Sequence, residues 1–129
     1  MSQLKGFKIL IVEDDADLRE VVLDDLSMAG ATVDSAESGQ AALKLIQSHQ
    51  FDAILSDMRM ANGDGRYLAK ELSKMRTANK PLFFLYSGYN DISDLEAADL
   101  QIIEIFSKPF DTIKLKNSLF NHLSKKIVA

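Results

Sequence analysis

The sequence contains no cysteine, which excludes disulfide bridges and thiolate metal sites. Its apolar runs are also short: residues 9–12, for example, fall far below the roughly 20 residues that a membrane-spanning helix needs. The first residues, 1–6, lack the apolar core of a signal peptide. We therefore expect a soluble, cytoplasmic protein that does not insert into a membrane.

The sequence also contains few prolines and carries no net positive charge. Only two prolines occur in 129 residues. The composition, with 47% hydrophobic and 26% charged residues, is typical of a folded domain. From the length we predict a single domain at residues 1–129. The formal net charge of −4 disfavours nucleic acid as a direct partner, because phosphate binding requires clustered lysine and arginine. A mild basic cluster near the C-terminus is interpreted as the solvated face of a helix; it comprises Lys114, Lys116, Lys125 and Lys126.

Five short apolar runs alternate with five amphipathic stretches. The first, third and fourth runs are almost continuously apolar, which is typical of parallel strands covered on both faces. The predicted strands are residues 7–12, 32–36, 51–56, 82–86 and 102–106. Such alternation predicts a (βα)₅ fold: a doubly wound parallel sheet with helices on both faces and right-handed crossovers.

The amphipathic stretches predict five helices. Gly30 is expected just past the end of the first helix, Ser38 at the start of the second, and Asp111 at the start of the fifth. The fourth helix, at about residues 91–98, is predicted to be short and acidic. The apolar stripes are Leu18, Val21, Val22, Leu26 and Ala29 in the first helix; Ala41, Ala42, Leu45 and Ile46 in the second; Leu68, Leu72 and Met75 in the third; and Leu115, Leu119, Phe120 and Leu123 in the fifth.

Ligands of an open parallel sheet bind beyond the carboxyl ends of its strands, where several reactive side chains occur in this sequence. Carboxylates brought so close raise each other's pKa unless a cation intervenes, and an oxygen-rich site suits Mg²⁺. A carboxylate free for attack would accept a phosphoryl group, with a lysine and a hydroxyl at the phosphoryl oxygens. The residues are Glu13, Asp14 and Asp15 after the first strand, Asp57 after the third, Ser87 after the fourth and Lys108 after the fifth.

Each of these residues, taken alone, has a simpler structural explanation. Residues 13–15 could cap the first helix, and Asp57 and Ser87 could begin turns. Lys108 could be a surface lysine before a proline that ends the strand. Their joint placement at one edge of the sheet favours the functional interpretation.

These residues lie in four segments that together resemble the receiver domain of bacterial response regulators over nearly the whole chain. Separate pieces are weak signals, but four in the right order are highly specific. The resemblance is to the family's acidic pocket, phosphoacceptor strand and loop, hydroxyl-bearing segment and Lys-Pro motif. The segments are residues 9–15, residues 55–60 with 62–65, residues 86–88 and residues 106–110.

The resemblance implies a flavodoxin-like sheet with strand order 2-1-3-4-5 and a phosphoacceptor role for Asp57. Mg²⁺ would be bound by Asp14, Asp57 and the main-chain carbonyl of Arg59, with Glu13 acting through a metal-bound water. Lys108 would contact the phosphoryl oxygens and Ser87 would move to hydrogen-bond them.

The resemblance also implies the partners. The phosphodonor would be a sensor histidine kinase or phosphotransfer protein, and the output would be another protein. We expect a phosphoacceptor with intrinsic autophosphatase activity rather than an enzyme, without an output domain, as a monomer or a weak phosphorylation-dependent dimer. Signalling would use the face formed by the fourth helix, fifth strand and fifth helix.

The sequence departs from the family pattern in places that bear on the loops and on the readout. Ala61 stands where the family usually has a proline, which could loosen the loop after Asp57. Ile105 stands where an aromatic rotamer switch is common, and Phe106, one residue later, should face the other side of the sheet. Residues 98–101 replace the usual Gly-Ala before the fifth strand, so the fourth helix could be short, shifted or mobile.

Three further expectations concern the surroundings of the site. Arg59 and Tyr89 should control the access of water, and Arg59 could instead pair with Glu13. The Lys108–Pro109 bond could be cis, which costs only about 0.5–1 kcal/mol before a proline.

Three other functions were weighed. A phosphatase of the haloacid dehalogenase type needs Asp-x-Asp, but residue 59 is arginine, which is no general acid at neutral pH. A flavin or nucleotide carrier needs a glycine-rich phosphate loop, where this chain has acidic residues instead. A receiver fold that binds partners without phosphorylation stays open.

Overall fold

The fold was obtained as a computed structural model, which describes residues 3–75, 80–88, 92–108 and 111–128. Its five strands form one parallel sheet in the order β2-β1-β3-β4-β5, which confirms the predicted architecture and strand order. The strands are β1 (Lys8–Val12), β2 (Thr32–Ala36), β3 (Ala53–Asp57), β4 (Leu82–Ser87) and β5 (Ile102–Ser107). The helices are α1 (Ala16–Met28), α2 (Gly39–Ser48), α3 (Gly65–Ser73), α4 (Asp94–Asp99) and α5 (Thr112–Val128).

The core consists of two apolar layers, one on each face of the sheet. Because side chains alternate along a strand, β1 contributes Ile9 and Ile11 to one layer and Leu10 and Val12 to the other. The first layer lies against α1 and α5, and the second lies against α2, α3 and α4. Burial on both faces explains why β1, β3 and β4 are continuously apolar in the sequence.

The ends of the helices follow the predicted capping residues. Gly30, at φ +101°, follows α1, and the N–H of Ala31 donates to Leu26 O at 3.2 Å, which is the hydrogen-bond pattern of a Schellman motif. The Ser38 hydroxyl accepts from Ala41 N–H at 3.1 Å, and the Asp111 carboxylate accepts from Ile113 N–H at 2.8 Å. These three predictions are confirmed.

The third strand differs from its prediction at both ends. The strand begins at Ala53. The preceding residue, Asp52, instead uses its side-chain carboxylate to accept a hydrogen bond from Lys8 N–H at 2.8 Å. The strand ends at Asp57, so the candidate phosphoacceptor is the last residue of a strand rather than the first of a loop. Because β3 lies between β1 and β4, the strand that Asp57 ends has a neighbouring strand on each side.

The fourth helix has only six residues, as its sequence indicated. It begins at Asp94 with Ser93 as its cap, later than predicted, and residue 91 lies outside the described residues. Of its residues only Ala97 is buried. Gln101 then adopts φ +60°, a left-handed conformation that glycine would accept without strain.

The fifth strand carries an irregularity that the sequence did not indicate. Phe83 is paired with Ile102 and Phe84 with Glu104, so Ile103 is left over as a bulge. Beyond it, Ile105 packs against the layer of α2, α3 and α4, and Phe106 is buried in the opposite layer. The expectation that these two residues face opposite sides is confirmed.

No helix in the described part of the chain is long and apolar enough to cross a membrane.

Candidate functional site

The carboxyl ends of four strands meet at one edge of the sheet and bring the predicted site residues together. Glu13 follows β1 directly, Asp57 ends β3, Ser87 ends β4 and Lys108 follows β5. Main-chain hydrogen bonds hold this edge in register: Lys108 N–H donates to Ser87 O at 2.9 Å, and Glu13 N–H donates to Ala36 O at 3.0 Å. The sheet itself therefore fixes the distances between these residues.

Three carboxylates form the centre of the site. Glu13, Asp14 and Asp57 each offer an oxygen, and these oxygens lie within 4.8 Å of one another. Glu13 and Asp57 are buried, with 1% and 6% of their surface exposed, and Asp14 is exposed. Oxygen ligands of this kind, open to water on one side, suit Mg²⁺, so the residues present fit the predicted metal.

Asp57 is held between a cation and a main-chain donor. Its Oδ2 lies 3.1 Å from Lys108 Nζ, and its Oδ1 accepts from Arg59 N–H at 3.4 Å. The loop after β3 therefore turns the main-chain N–H of Arg59 toward Asp57, with the side chain exposed, and metal binding by the Arg59 carbonyl stays a prediction. Lys108 pairs with Asp57, and the carboxylate oxygens of Glu13, Asp14 and Asp57 lie close enough together to bind a further cation.

Asp15 has the structural role that the simpler interpretation gave it. Its carboxylate caps α1 by accepting from the N–H groups of Asp17 and Leu18, at 3.0 and 3.3 Å. The simpler interpretation therefore holds for Asp15, which caps the helix, while Glu13 and Asp14 lie close to Asp57.

Ser87 is buried at the end of β4, next to the strand that carries Asp57. The sheet register pairs Asp57 with Tyr86, so Ser87 lies one residue beyond Asp57 along the same edge. The Ser87 hydroxyl is therefore carried by the strand next to the one that ends at Asp57.

Tyr86 belongs to the fourth apolar run and to the segment 86–88, but sequence reasoning assigned it no role in the site. Its hydroxyl donates to Glu13 Oε1 at 2.7 Å, and its ring lies beneath Lys108, with Nζ 5.1 Å from the ring centroid. Its side chain is fully buried. The signal that was available is a residue with a polar end in a buried strand, directly before Ser87.

Burial dominates the electrostatics of Glu13. It raises the pKa of the Glu13 carboxyl from 4.5 to about 7, and the nearby carboxyls of Asp14 and Asp57 add to the rise. Hydrogen bonds from Tyr86 and from the Asp15 main chain lower the pKa and offset part of this effect. Burial likewise raises the pKa of the Tyr86 phenol, so its hydroxyl keeps its proton and donates.

The loop after Asp57 is attached to the start of α2. Gly39 N–H donates to Gly63 O at 2.7 Å, and Gln40 N–H donates to Asn62 O at 3.2 Å. Asn62 and Gly63 both adopt left-handed conformations, at φ +59° and +98°. These contacts hold the segment in which Ala61 replaces the usual proline.

Two expectations, for Tyr89 and for the Lys108–Pro109 bond, fall on residues outside the described ranges, and a pairing of Arg59 with Glu13 stays a prediction.

Comparison with known proteins agrees with this geometry. A family model described as response regulator receiver domain matches residues 9–120. The transcriptional regulatory protein GlrR of Escherichia coli K12 is 30% identical over 97% of this chain. The chain spans 28% of the length of that relative and 56% of the length of another curated relative.

Solved structures show the same fold. The response regulator receiver domain (CheY-like) from Methylobacillus flagellatus superimposes with a TM-score of 0.79, at 30% identity, over 88% of this chain and 95% of its own. The response regulator protein TrrA from Thermotoga maritima, whose structure was determined in complex with Mg²⁺-BeF, has a TM-score of 0.78 at 29% identity, over 91% of this chain and 98% of its own.

Proposed function

This chain belongs to the family of response regulator receiver domains, and from that premise we propose that it accepts a phosphoryl group on Asp57 in a Mg²⁺-dependent reaction in the cytoplasm. The observation that carries the proposal is the position of the Asp57 carboxylate, buried at the sheet edge between Lys108 and two further carboxylates. Its donor would be a histidine kinase or a phosphotransfer protein.

The transfer exchanges one bond for another. An oxygen of Asp57 forms a bond to phosphorus while the bond from phosphorus to the donor's imidazole nitrogen breaks, and the imidazole leaves with the electron pair. Lys108, which lies 3.1 Å from Asp57 Oδ2, is placed to neutralise the phosphoryl oxygens. Ser87 would move to donate its hydroxyl hydrogen to one of them.

Asp14, Asp57 and the main-chain carbonyl of Arg59 would hold Mg²⁺, with Glu13 acting through a bound water. When bound, the metal supplies positive charge to the phosphoryl oxygens and to the attacking carboxylate. The cluster supports this assignment, because oxygens of the three carboxylates lie within 4.8 Å of one another, close enough to share one cation. Hydrolysis of the acyl phosphate at the same site would return the carboxylate and end the signal.

The first test uses acetyl phosphate as the donor. With Mg²⁺, the protein should gain the mass of one phosphoryl group, and Asp57→Asn should gain none. A protein that takes up no phosphoryl group and no beryllofluoride under these conditions would instead be an interaction module that works without phosphorylation. Turnover of a phosphomonoester, lost in Asp57→Asn, would indicate a phosphatase.

We further propose that the receiver signals to another protein through the face of α4, β5 and α5. Several features support this face: α4 is short, it buries only Ala97, and Leu95 and Ile103 expose 81% and 38% of their surfaces there. Phosphorylation adds charge beside Ser87 and Lys108, which adjoin this face, and so biases its packing. Amide chemical shifts of α4 and β5 that stay fixed when those near Asp57 move would contradict this route.

A further inference from the structure

Tyr86 lies beneath the site, between its carboxylates and Lys108. Glu13 and Asp14 follow β1 on one side, and Lys108 follows β5 on the other. Tyr86, on β4, contacts both sides with different parts of one side chain: its hydroxyl bonds Glu13, and its ring lies under Lys108. Its main chain is fixed as well, because Met58 N–H donates to Tyr86 O at 3.0 Å.

The hydroxyl contact determines how Glu13 is oriented. Glu13 Oε1 accepts from the Tyr86 hydroxyl at 2.7 Å, and Oε2 accepts from Asp15 N–H at 3.0 Å. Both oxygens of this buried carboxylate therefore have a fixed donor, which leaves the group little freedom to rotate.

The ring contact bears on Lys108. A lysine ammonium within about 6 Å of an aromatic centroid is attracted to the face of the ring. Here Lys108 Nζ lies 5.1 Å from the Tyr86 centroid and 3.1 Å from Asp57 Oδ2. The ring thus supports the flexible lysine side chain on the side opposite the carboxylate that it pairs with.

We propose that Tyr86 is a positioning residue for phosphoryl transfer, with two separable actions: its hydroxyl orients Glu13 for the metal, and its ring holds Lys108 for the phosphoryl group. The inference rests on the proposed function of Asp57 and extends it to a residue to which the resemblance assigns no role. Tyr86 acts through Glu13 and Lys108 and need not contact the phosphoryl group itself.

Two substitutions separate the two actions. Tyr86→Phe removes the hydroxyl and keeps the ring, so Mg²⁺ should bind about tenfold more weakly, as expected for the loss of a hydrogen bond to a charged group. Beryllofluoride affinity at saturating Mg²⁺ should then stay within about twofold of the parent, because the ring still supports Lys108. Tyr86→Leu removes both contacts and should weaken both affinities.

Tyr67→Phe is the matched control, since Tyr67 is a partly buried tyrosine on α3, away from the carboxylates. Its Mg²⁺ and beryllofluoride affinities should equal those of the parent. Tyrosine fluorescence provides a readout independent of transfer, because the chain has three tyrosines and no tryptophan. Mg²⁺ should change this fluorescence in the parent and in Tyr67→Phe, and should change it less in Tyr86→Phe, which keeps Tyr89.

The outcomes distinguish this inference from the function on which it rests. A parent protein that binds neither Mg²⁺ nor beryllofluoride would overturn the proposed function itself. If the parent binds both and Tyr86→Phe binds Mg²⁺ equally well with the same fluorescence change, the positioning role is wrong. If Tyr86→Leu does not fold, Tyr86→Phe and Tyr67→Phe decide the question alone.

Discussion

Single residues in this protein take their chemical meaning from the strand ends that surround them. Asp57 in isolation would be an aspartate at the end of a strand. Its burial, its contact with Lys108 and its closeness to Glu13 and Asp14 support its proposed role as a nucleophile beside a cation site. The same sheet edge gives Asp15, the immediate neighbour of Asp14, a purely structural role as a helix cap.

Glu13 makes the stability of the metal-free protein depend on pH. An acid whose pKa is higher in the folded state binds protons more tightly when folded, so its protonation stabilises the fold. This contribution is complete below pH 4.5 and is lost as the pH rises through about 7. With a chelator present, the free energy of unfolding of the parent, relative to Glu13→Gln, should fall across that window.

Urea unfolding of both proteins at several pH values measures this difference. The comparison with Glu13→Gln cancels the other carboxyl groups, which titrate in both proteins. A difference that stays constant or grows with pH would show that Glu13 is not held in an environment that disfavours its charge.

At the scale of elements, the start of α2 and the loop after β3 form one unit. A Cβ atom added at Gly39 would lie 2.6 Å from Gly63 O, which is main chain and cannot move aside alone. Gly39→Ala should therefore cost about 1–3 kcal/mol of unfolding free energy, as overpacked sites do. It should also weaken Mg²⁺ binding, because the displaced loop carries Arg59.

The control for Gly39→Ala is Gln47→Gly, an exposed position in the same helix. It should cost about 0.5–1 kcal/mol through helix propensity and leave the Mg²⁺ affinity unchanged. Denaturant unfolding and metal titration measure both quantities. Equal loss of metal affinity in the two variants would mean that α2 acts only through global stability.

The fourth helix is tied to the third by a two-point ion pair. Arg66 Nε lies 2.8 Å from Glu96 Oε2, and its second contact, to Oε1, is 3.2 Å. Since both side chains are about one-third exposed, the pair should contribute only about 0.2–1 kcal/mol to global stability. Its larger effect should be local, because α4 buries little else.

Glu96→Gln should therefore leave the denaturation midpoint nearly unchanged while the amides of α4 exchange faster with solvent. The swapped double variant, Arg66→Glu with Glu96→Arg, should restore slow exchange. Exchange rates that are equal in parent and Glu96→Gln would show that α4 is held by its apolar contacts alone.

These elements also show how far the sequence alone could lead. The strands, the caps at Ser38 and Asp111, and the shortness of α4 follow from local patterns and were predicted. The bulge at Ile103 was not, because nothing in an apolar strand tells which residue its neighbour will leave unpaired. Tyr86 was missed for a similar reason: its contacts join β4 to residues that follow β1 and β5, far away along the chain.

At the scale of the whole molecule, the fold separates the proposed phosphorylation site from the face proposed for its readout. The sheet edge holds the carboxylates and Lys108 rigidly between two packed apolar layers. The adjoining face of α4 and β5 is less deeply buried and includes a bulge and a left-handed turn at Gln101. A rigid site beside a loosely packed face is the arrangement that a charge-driven switch requires.

The readout itself must differ from an aromatic rotamer switch at residue 105. Ile105 lacks a ring, and the neighbouring Phe106 is buried against Phe84 on the other face, with ring centroids 6.2 Å apart. A change at the face of α4, β5 and α5 would therefore come from the ends of β4 and β5, where Ser87 and Lys108 lie.

The central claim is that Asp57 itself carries the phosphoryl group, and chemical trapping tests it most directly. After incubation with acetyl phosphate and Mg²⁺, borohydride reduces an aspartyl phosphate at its side chain, and peptide mass spectrometry identifies the modified residue. We predict reduction at Asp57 in the parent protein and none when Mg²⁺ is chelated. Reduction at Asp14 or another carboxylate, or a phosphoryl group on Ser87, would contradict the assignment.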